Sequence, residues 1–323
     1  MKAIVIGLGS MGRRRIRLLK QIDKNIQIKG IDLSLDRQKQ AFDELGIESY
    51  SSIDEAVEDF NPTLALVCTS PISHGKIVLE CLKNSLNVFT EINLLSDWYD
   101  EALKLANENN LKLFISSTFL YRKEIEFLKE SLKDEKVNYI YHIGQYLPDW
   151  HPWESYKNFF VANPKTNGCR EIFAIDMPWI LDVFGEIDSF SVIKDKLSNL
   201  EIDYNDNYFV TIKHKNGSKG VFVVDIVSRK AGRNIEIYNE NLHITWNGTP
   251  DSLKVLDLSK KEMTSINLYN EYEHDNKYCS FVIENAYADE LRDFISMVEK
   301  NTIPKYSFEK DKKMLEIIDE IEK

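Results

Sequence analysis

The chain has 323 residues, 43% of them hydrophobic and 29% charged, with a formal net charge of −11 at pH 7. That length accommodates two domains with separate cores, and the acidic balance argues against nucleic acid or an anionic membrane as a general partner, since a phosphate-rich surface would be repelled. No apolar run approaches the roughly 20 residues a spanning helix needs, and the first residues read as a core strand rather than a signal peptide, so a cytoplasmic protein is expected.

The chain opens with a β-branched run, Ala3 to Ile6, too short for a helix and suited to a buried strand. Gly7, Gly9 and Gly12 follow as G-x-G-x-x-G, and a helical pattern runs from Met11 to Ile22. Gly7 permits a tight bend, Gly9 lets the backbone approach a pyrophosphate, and Gly12 lets helix and strand pack closely. The anion would rest against Ser10 and Met11, at the positive end of the helix. A second strand, Ile26 to Ile31, ends in Asp32, where a carboxylate can accept from both ribose hydroxyls and would repel a 2′-phosphate. The expected cofactor is therefore NAD, with NADP left open by Ser34, Arg37 and Arg13 to Arg15.

Strand and helix signals keep alternating: a helix from Leu35 to Leu45, a strand near Ile47 to Tyr50, and a helix capped by Ser52. The apolar run Thr63 to Cys68 ends in Thr69-Ser70-Pro71 and His74, then a helix; Leu86 to Phe89 ends in Thr90-Glu91-Ile92-Asn93. A helix from Ser96, a strand from Leu111 to Ser117 and a helix from Arg122 complete the pattern. Repeated alternation of this kind predicts an α/β domain, a parallel doubly wound sheet over residues 1–120. Beyond Val137 the strand patterns are joined by turns, Asn216-Gly217 the strongest, which predicts an α+β domain over 121–323 with a large, mainly antiparallel sheet. The C-terminal helices are expected to pack back on the body of the protein. Cys68, Cys81, Cys169 and Cys279 are scattered and read as reduced, mostly buried thiols. The histidines lack metal-ligand spacing, so no metal is expected.

GLGSMG, Asp32, the segment Thr69 to His74 and a strand ending in Glu91 resemble the Gfo/Idh/MocA family of NAD(P)-dependent oxidoreductases. The resemblance implies oxidation or reduction of a sugar or cyclitol carbon, a substrate cleft between two domains, and dimers or tetramers formed through the second sheet. It carries Gly7, Gly9, Ser10, Met11, Gly12, Asp32, Thr69, Ser70, Pro71, His74, Glu91 and Asn93 over as cofactor contacts. The family reads Glu-Lys-Pro where this chain reads Glu91-Ile92-Asn93, so the usual lysine is absent. Its usual histidine is absent too, with Ile175 or Asp176 at that place. GQYLPDWHPWE followed by G-C-R-E is similar to a subgroup associated with bacterial surface-sugar biosynthesis.

Replacement chemistry is sought in the stretch Gly144 to Gly185. Asp176, on an otherwise apolar helix, reads either as a general base or as a structural ion pair with Arg170. His151, in a proline-flanked loop, is the second proton-transfer candidate, and Lys165 a third that could stand in for the lost lysine. Tyr121, Arg122, Trp150, Trp153 and Arg170 are the substrate candidates, and Pro178 predicts a kink near Ala174. Three readings stand: a sugar dehydrogenase, a redox-neutral NAD-dependent epimerase, lyase or hydrolase, and a non-catalytic dinucleotide-binding regulator.

Overall fold

Short apolar runs form the strands of the first unit because only a sheet covered on both faces hides every side chain of such a run. In the computed structural model, which describes residues 1–151, 154–274, 279 and 281–323, these strands are β1 (Lys2–Ile6), β2 (Gln27–Ile31), β3 (Ser49–Tyr50), β4 (Leu64–Val67), β5 (Asn87–Thr90) and β6 (Leu113–Ile115). They make one parallel sheet in the order β3-β2-β1-β4-β5-β6. Between them run α1 (Ser10–Ile22), α2 (Leu35–Leu45), α3 (Ile53–Phe60), α4 (Pro71–Lys83) and α5 (Tyr99–Glu108). The Ser52 hydroxyl caps α3 by accepting the Glu55 N–H at 3.2 Å. The strand order reverses between β1 and β4, the place where an open α/β sheet binds ligands beyond its strand ends.

The chain divides into two compact units: residues 1–118 with 287–315, and residues 119–286 with 316–323. The first unit is thus completed by α8 (Glu284–Lys300) from residue 287 onward and by the start of α9 (Phe308–Glu322). Phe294 on α8 packs edge-on to Phe89 of β5, and Phe308 on α9 packs edge-on to Tyr99 of α5.

The second unit holds α6 (Lys123–Ser131), β7 (Asn138–Gly144), α7 (Gly168–Phe184), β8 (Ile187–Asp195), β9 (Asn207–His214), β10 (Lys219–Asp225), β11 (Gly232–Tyr238), β12 (His243–Trp246), β13 (Lys254–Asp257) and β14 (Glu262–Ser265). Its eight strands run β14-β13-β12-β11-β7-β10-β9-β8, antiparallel except where β7 lies parallel to β10. Gly217, at φ +94°, turns the β9–β10 hairpin. Along β9 the side chains alternate buried and exposed, as one covered face requires. The covered face packs on α7: Phe173 meets Tyr208 and Phe222 edge-on, and Phe184 stacks on Tyr139. α7 continues through Pro178 as one 17-residue helix. None of the described helices is long and apolar enough to cross a membrane.

Two local features of the first unit decide its stability. A Cβ on Gly12 would lie 1.9 Å from the Gly7 carbonyl oxygen, so Gly12→Ala should force α1 off β1 and lower the urea-unfolding free energy by roughly 1–3 kcal/mol. Asp311 on α9 is 3% exposed and accepts the Tyr99 hydroxyl at 2.5 Å. Burial pushes its carboxyl up to about 7, against the opposing pull of the Tyr99 and Tyr306 hydroxyls. The folded protein therefore keeps a proton that the unfolded chain releases near pH 4; that stabilisation is full below about pH 4 and lost as pH rises to about 7. Asp311→Asn should flatten this decline in urea midpoints measured across the same interval.

Candidate active site

β1 delivers the chain into the glycine turn. Gly7 sits at φ +91° and donates its N–H to the Ile31 carbonyl at 2.8 Å. A Cβ there would lie 2.7 Å from the Cys68 carbonyl oxygen, so the turn is closed on that side. Gly9 is the opposite case: nothing lies within 4 Å of where its Cβ would stand. It caps α1 without a side chain, and the first turn of α1, with Ser10, Met11 and Gly12, carries no acid. An open cradle at a helix N-terminus is where a pyrophosphate fits.

Asp32, at the end of β2, accepts the Leu8 N–H at 2.7 Å and the Ser34 N–H at 2.9 Å. The carboxylate is thereby fixed beside the turn, with the largely exposed Arg37 guanidinium 3.9 Å away. β4 ends in half-buried Thr69 and exposed Ser70, which precedes Pro71 at the start of α4. His74 is fully buried; one ring nitrogen faces the Thr69 carbonyl at 2.9 Å and the other the Asn93 side-chain oxygen at 2.6 Å. Burial, the largest effect, lowers the imidazole pKa. A neutral ring donates once, so turning the Asn93 amide over would satisfy both the ring and the otherwise partnerless Asn93 Nδ2. Asn93, 1% exposed, is thus turned inward onto His74, not outward toward a ligand. Glu91 is also engaged: Arg15 Nε reaches its Oε1 at 2.6 Å and Nη2 its Oε2 at 3.1 Å. The open cradle, the uncapped helix and the fixed acid together fit a dinucleotide.

In the second unit the candidates do not form one cluster. Asp176 has no solvent exposure; its Oδ1 accepts from Tyr141 Oη at 2.6 Å, from Trp179 Nε1 at 2.8 Å and from Arg233. The ion pair foreseen with Arg170 is therefore made with Arg233, whose guanidinium also lies 4.1 Å from the Phe119 ring. Arg170 instead pairs with Asp319 at 2.7 Å and with Glu322 of α9. Arg122, 2% exposed, forms a buried pair with Glu124 at 2.7 Å and donates to the Phe281 and Gly248 carbonyls. Tyr121 is buried at the end of a 3-10 turn. Trp150 donates its indole N–H to the Gln145 carbonyl at 3.1 Å, and its ring lies 3.5 Å from where a Gly168 Cβ would be. His151 lies 3.0 Å from Glu154 and against the Phe159 ring. Lys165 is exposed in a 3-10 turn just before α7. Trp153 lies outside the described residues.

Glu171 stands one turn into α7. Its Oε2 is sealed from solvent with no hydrogen-bond partner. Burial alone pushes the carboxyl up to about 8. Among the described residues no group of His, Cys, Asp or Glu is arranged to hold a metal ion.

Residues 1–117 match the sequence model of the Gfo/Idh/MocA oxidoreductase family, described as an NAD-binding Rossmann fold. Myo-inositol 2-dehydrogenase of Thermotoga maritima is 30% identical over 141 residues, a stretch covering 42% of this chain and 42% of that enzyme. Among solved structures, an oxidoreductase from Agrobacterium radiobacter, crystallised with NAD+, L-tartaric acid and magnesium, superposes with a TM-score of 0.80 at 14% identity, over 99% of this chain and 94% of its own. UDP-N-acetylglucosamine 3-dehydrogenase from Acidithiobacillus ferrooxidans gives 0.78 at 14% identity, over 99% and 96%. A probable dehydrogenase from Thermotoga maritima gives 0.74 at 20% identity, over 98% and 94%. At these identities the structural likeness speaks for the fold alone, and the match to the family model is confined to residues 1–117.

Proposed function

We propose that the protein is an NAD(P)-dependent oxidoreductase acting on a hydroxyl or keto carbon of a sugar or cyclitol, with Glu171 as the group that moves the proton. The observation that carries this reading is the glycine turn, whose open side at Gly9 and uncapped helix suit a dinucleotide. A nucleotide-activated sugar is the finer version, supported by the likeness of fold to UDP-N-acetylglucosamine 3-dehydrogenase. When bound, the nicotinamide coenzyme supplies the site that takes up or gives the hydride. Gly7, Gly9, Ser10, Met11 and Gly12 would hold its pyrophosphate, and Asp32 its adenosine ribose. Thr69, Ser70 and Pro71 would line the next strand end. His74 and Asn93 brace that strand end, and Arg15 braces Glu91.

Glu171, half-buried as a residue, does the proton chemistry through its carboxyl group. As a carboxylate it accepts the proton of the substrate hydroxyl; as an acid it returns one to a keto oxygen. A carboxyl that ionises near 8 is tuned for both near neutral pH. Asp176, paired with Arg233 and closed to solvent, instead holds α7 to β7 and β11 through Tyr141 and Arg233. Trp150, His151 and Lys165 then belong to the substrate side, on the loop before α7.

The assay is a panel of myo-inositol, simple sugars and UDP-sugars with NAD or NADP, followed at the absorbance of the reduced coenzyme. Oxidation should rise as pH passes through about 8, because it needs the carboxylate, and ketone reduction should fall over the same range. Glu171→Gln should lower kcat about 100-fold or more while leaving the NADH Kd, read from tryptophan fluorescence, unchanged. Product formation with only trace NAD would indicate the redox-neutral alternative, and coenzyme binding with no turnover of any panel member the regulator.

The uncovered face of the second sheet is the proposed self-association surface. Ile193, Phe209 and Val223 lie side by side across β8, β9 and β10, and Ile140 sits beside Val221. Ile193 is 77% exposed, more than an isolated surface would favour. Phe209→Glu should halve the mass measured by light scattering if this face joins two copies.

A further inference from the structure

The first turn of α7 is held from an unexpected direction, the last turn of the chain. Asn167 caps α7, accepting the Arg170 N–H at 2.7 Å, while its own amide donates to Pro164 O at 2.9 Å and to Glu322 Oε1 at 2.6 Å. The Arg170 guanidinium, 5% exposed, donates to Glu322 Oε2 and, at 2.7 Å, to Asp319 Oδ1. Lys194 of β8 fixes the same stretch of α9 by donating to the Ile321 carbonyl at 2.9 Å. Ile318 and Ile321 are buried, so this turn of α9 is anchored by apolar packing as well.

Glu171 follows Arg170 in the chain and donates its backbone N–H to the Asn167 carbonyl at 3.0 Å. A guanidinium free to swing within about 4–6 Å of that carboxyl would favour its ionised form. Here two acids on α9 neutralise the guanidinium and direct it toward themselves. The other ionisable neighbours are Tyr204, which donates its phenol proton to the Val161 carbonyl at 2.8 Å, and Cys169; burial raises both.

We propose that Asp319 and Glu322 are positioning residues for the reaction: by holding Arg170 and the Asn167 cap, they fix the turn that carries Glu171 and keep the Arg170 charge off it. The idea rests on the assignment of proton transfer to Glu171 made above. It gives the C-terminal turn a part in the chemistry, although neither acid touches the reacting atoms.

The test reads Glu171 directly, without substrate. Infrared spectra of the full-length protein are recorded across pH 5 to 10, and the carboxylic-acid band that disappears in Glu171→Gln is assigned to this residue. In the wild type that band should fade near pH 8. In Asp319→Asn/Glu322→Gln, where Arg170 loses the carboxylates of Asp319 and Glu322, its midpoint should drop by about one unit or more, a tenfold change in proton affinity. Amide hydrogen exchange over residues 168–172 should quicken about tenfold in the same variant. Glu322→Asp alone should restore the wild-type midpoint in part. Far-UV circular dichroism checks folding, and should the double variant unfold, Glu322→Gln alone is read in its place, with a smaller drop in midpoint expected. An unchanged midpoint with unchanged exchange in a folded variant overturns the proposal while leaving Glu171 as the proton carrier; absence of any titrating band tied to Glu171 overturns that assignment itself.

Discussion

The first unit depends on one buried guanidinium. Arg15, fully buried on α1, bonds Glu91 at the end of β5 through two nitrogens and Glu290 on α8 at 2.7 Å. Glu290 in turn accepts the Ser116 hydroxyl at 2.9 Å and the Ser117 N–H at 2.6 Å, beyond the end of β6. The Arg15 plane lies 4.6 Å from the Phe89 ring, and Nη1 donates to the Tyr287 carbonyl at 3.2 Å. One charge thus ties the helix of the glycine turn to two strand ends and to a helix more than 270 residues along the chain. Burying three charges is costly unless each is paired and hydrogen-bonded. Here burial raises the Glu290 pKa while Arg15 pulls it back down, and two carboxylates outweigh the desolvation of Arg15, whose pKa stays above its ordinary value. The network fixes α1, and α1 fixes the open side of the turn.

Most of the first unit was legible because its strands are short, largely apolar and punctuated by glycine, serine and proline. The helix Leu35–Leu45 and the Ser52 cap fall where the sequence puts them, since a cap and a period are local properties. In the second unit His243–Trp246 and the hairpin at Gly217 were equally plain. β8, β13 and β14 were not. β8, IDSFSVIKD, mixes charge into both faces of its alternation, and β13 and β14 are short strands at the outer end of the sheet, with an exposed and polar β14. Their strand state comes from a neighbour's hydrogen bonds rather than from their own pattern.

The site was legible by residue type and less so by partner. The cofactor turn follows from spacing, but that Glu91 would be gripped by Arg15 depends on chain segments 76 residues apart. The same holds for Arg122, whose partner Glu124 is close in sequence while its carbonyl acceptors at Gly248 and Phe281 are not. A polar side chain read alone has many possible partners, and the fold selects among them.

α7 shows the consequence for chemistry. Two of its three acids, Glu171 and Asp176, lie five residues apart, and the sequence favours Asp176 because apolar neighbours surround it. In the fold a guanidinium, a phenol and an indole converge on Asp176 Oδ1, while Asp176 Oδ2 and Glu171 Oε2 are both buried without a hydrogen-bond partner. Asp176 differs in that its other oxygen already carries a guanidinium. Glu171, half-buried with one oxygen sealed and unbonded, has its carboxyl pushed up to about 8 by burial, within reach of exchange near neutrality. Arg170 and Arg233 are each engaged by other acids, Arg170 by Asp319 and Glu322 and Arg233 by Asp176.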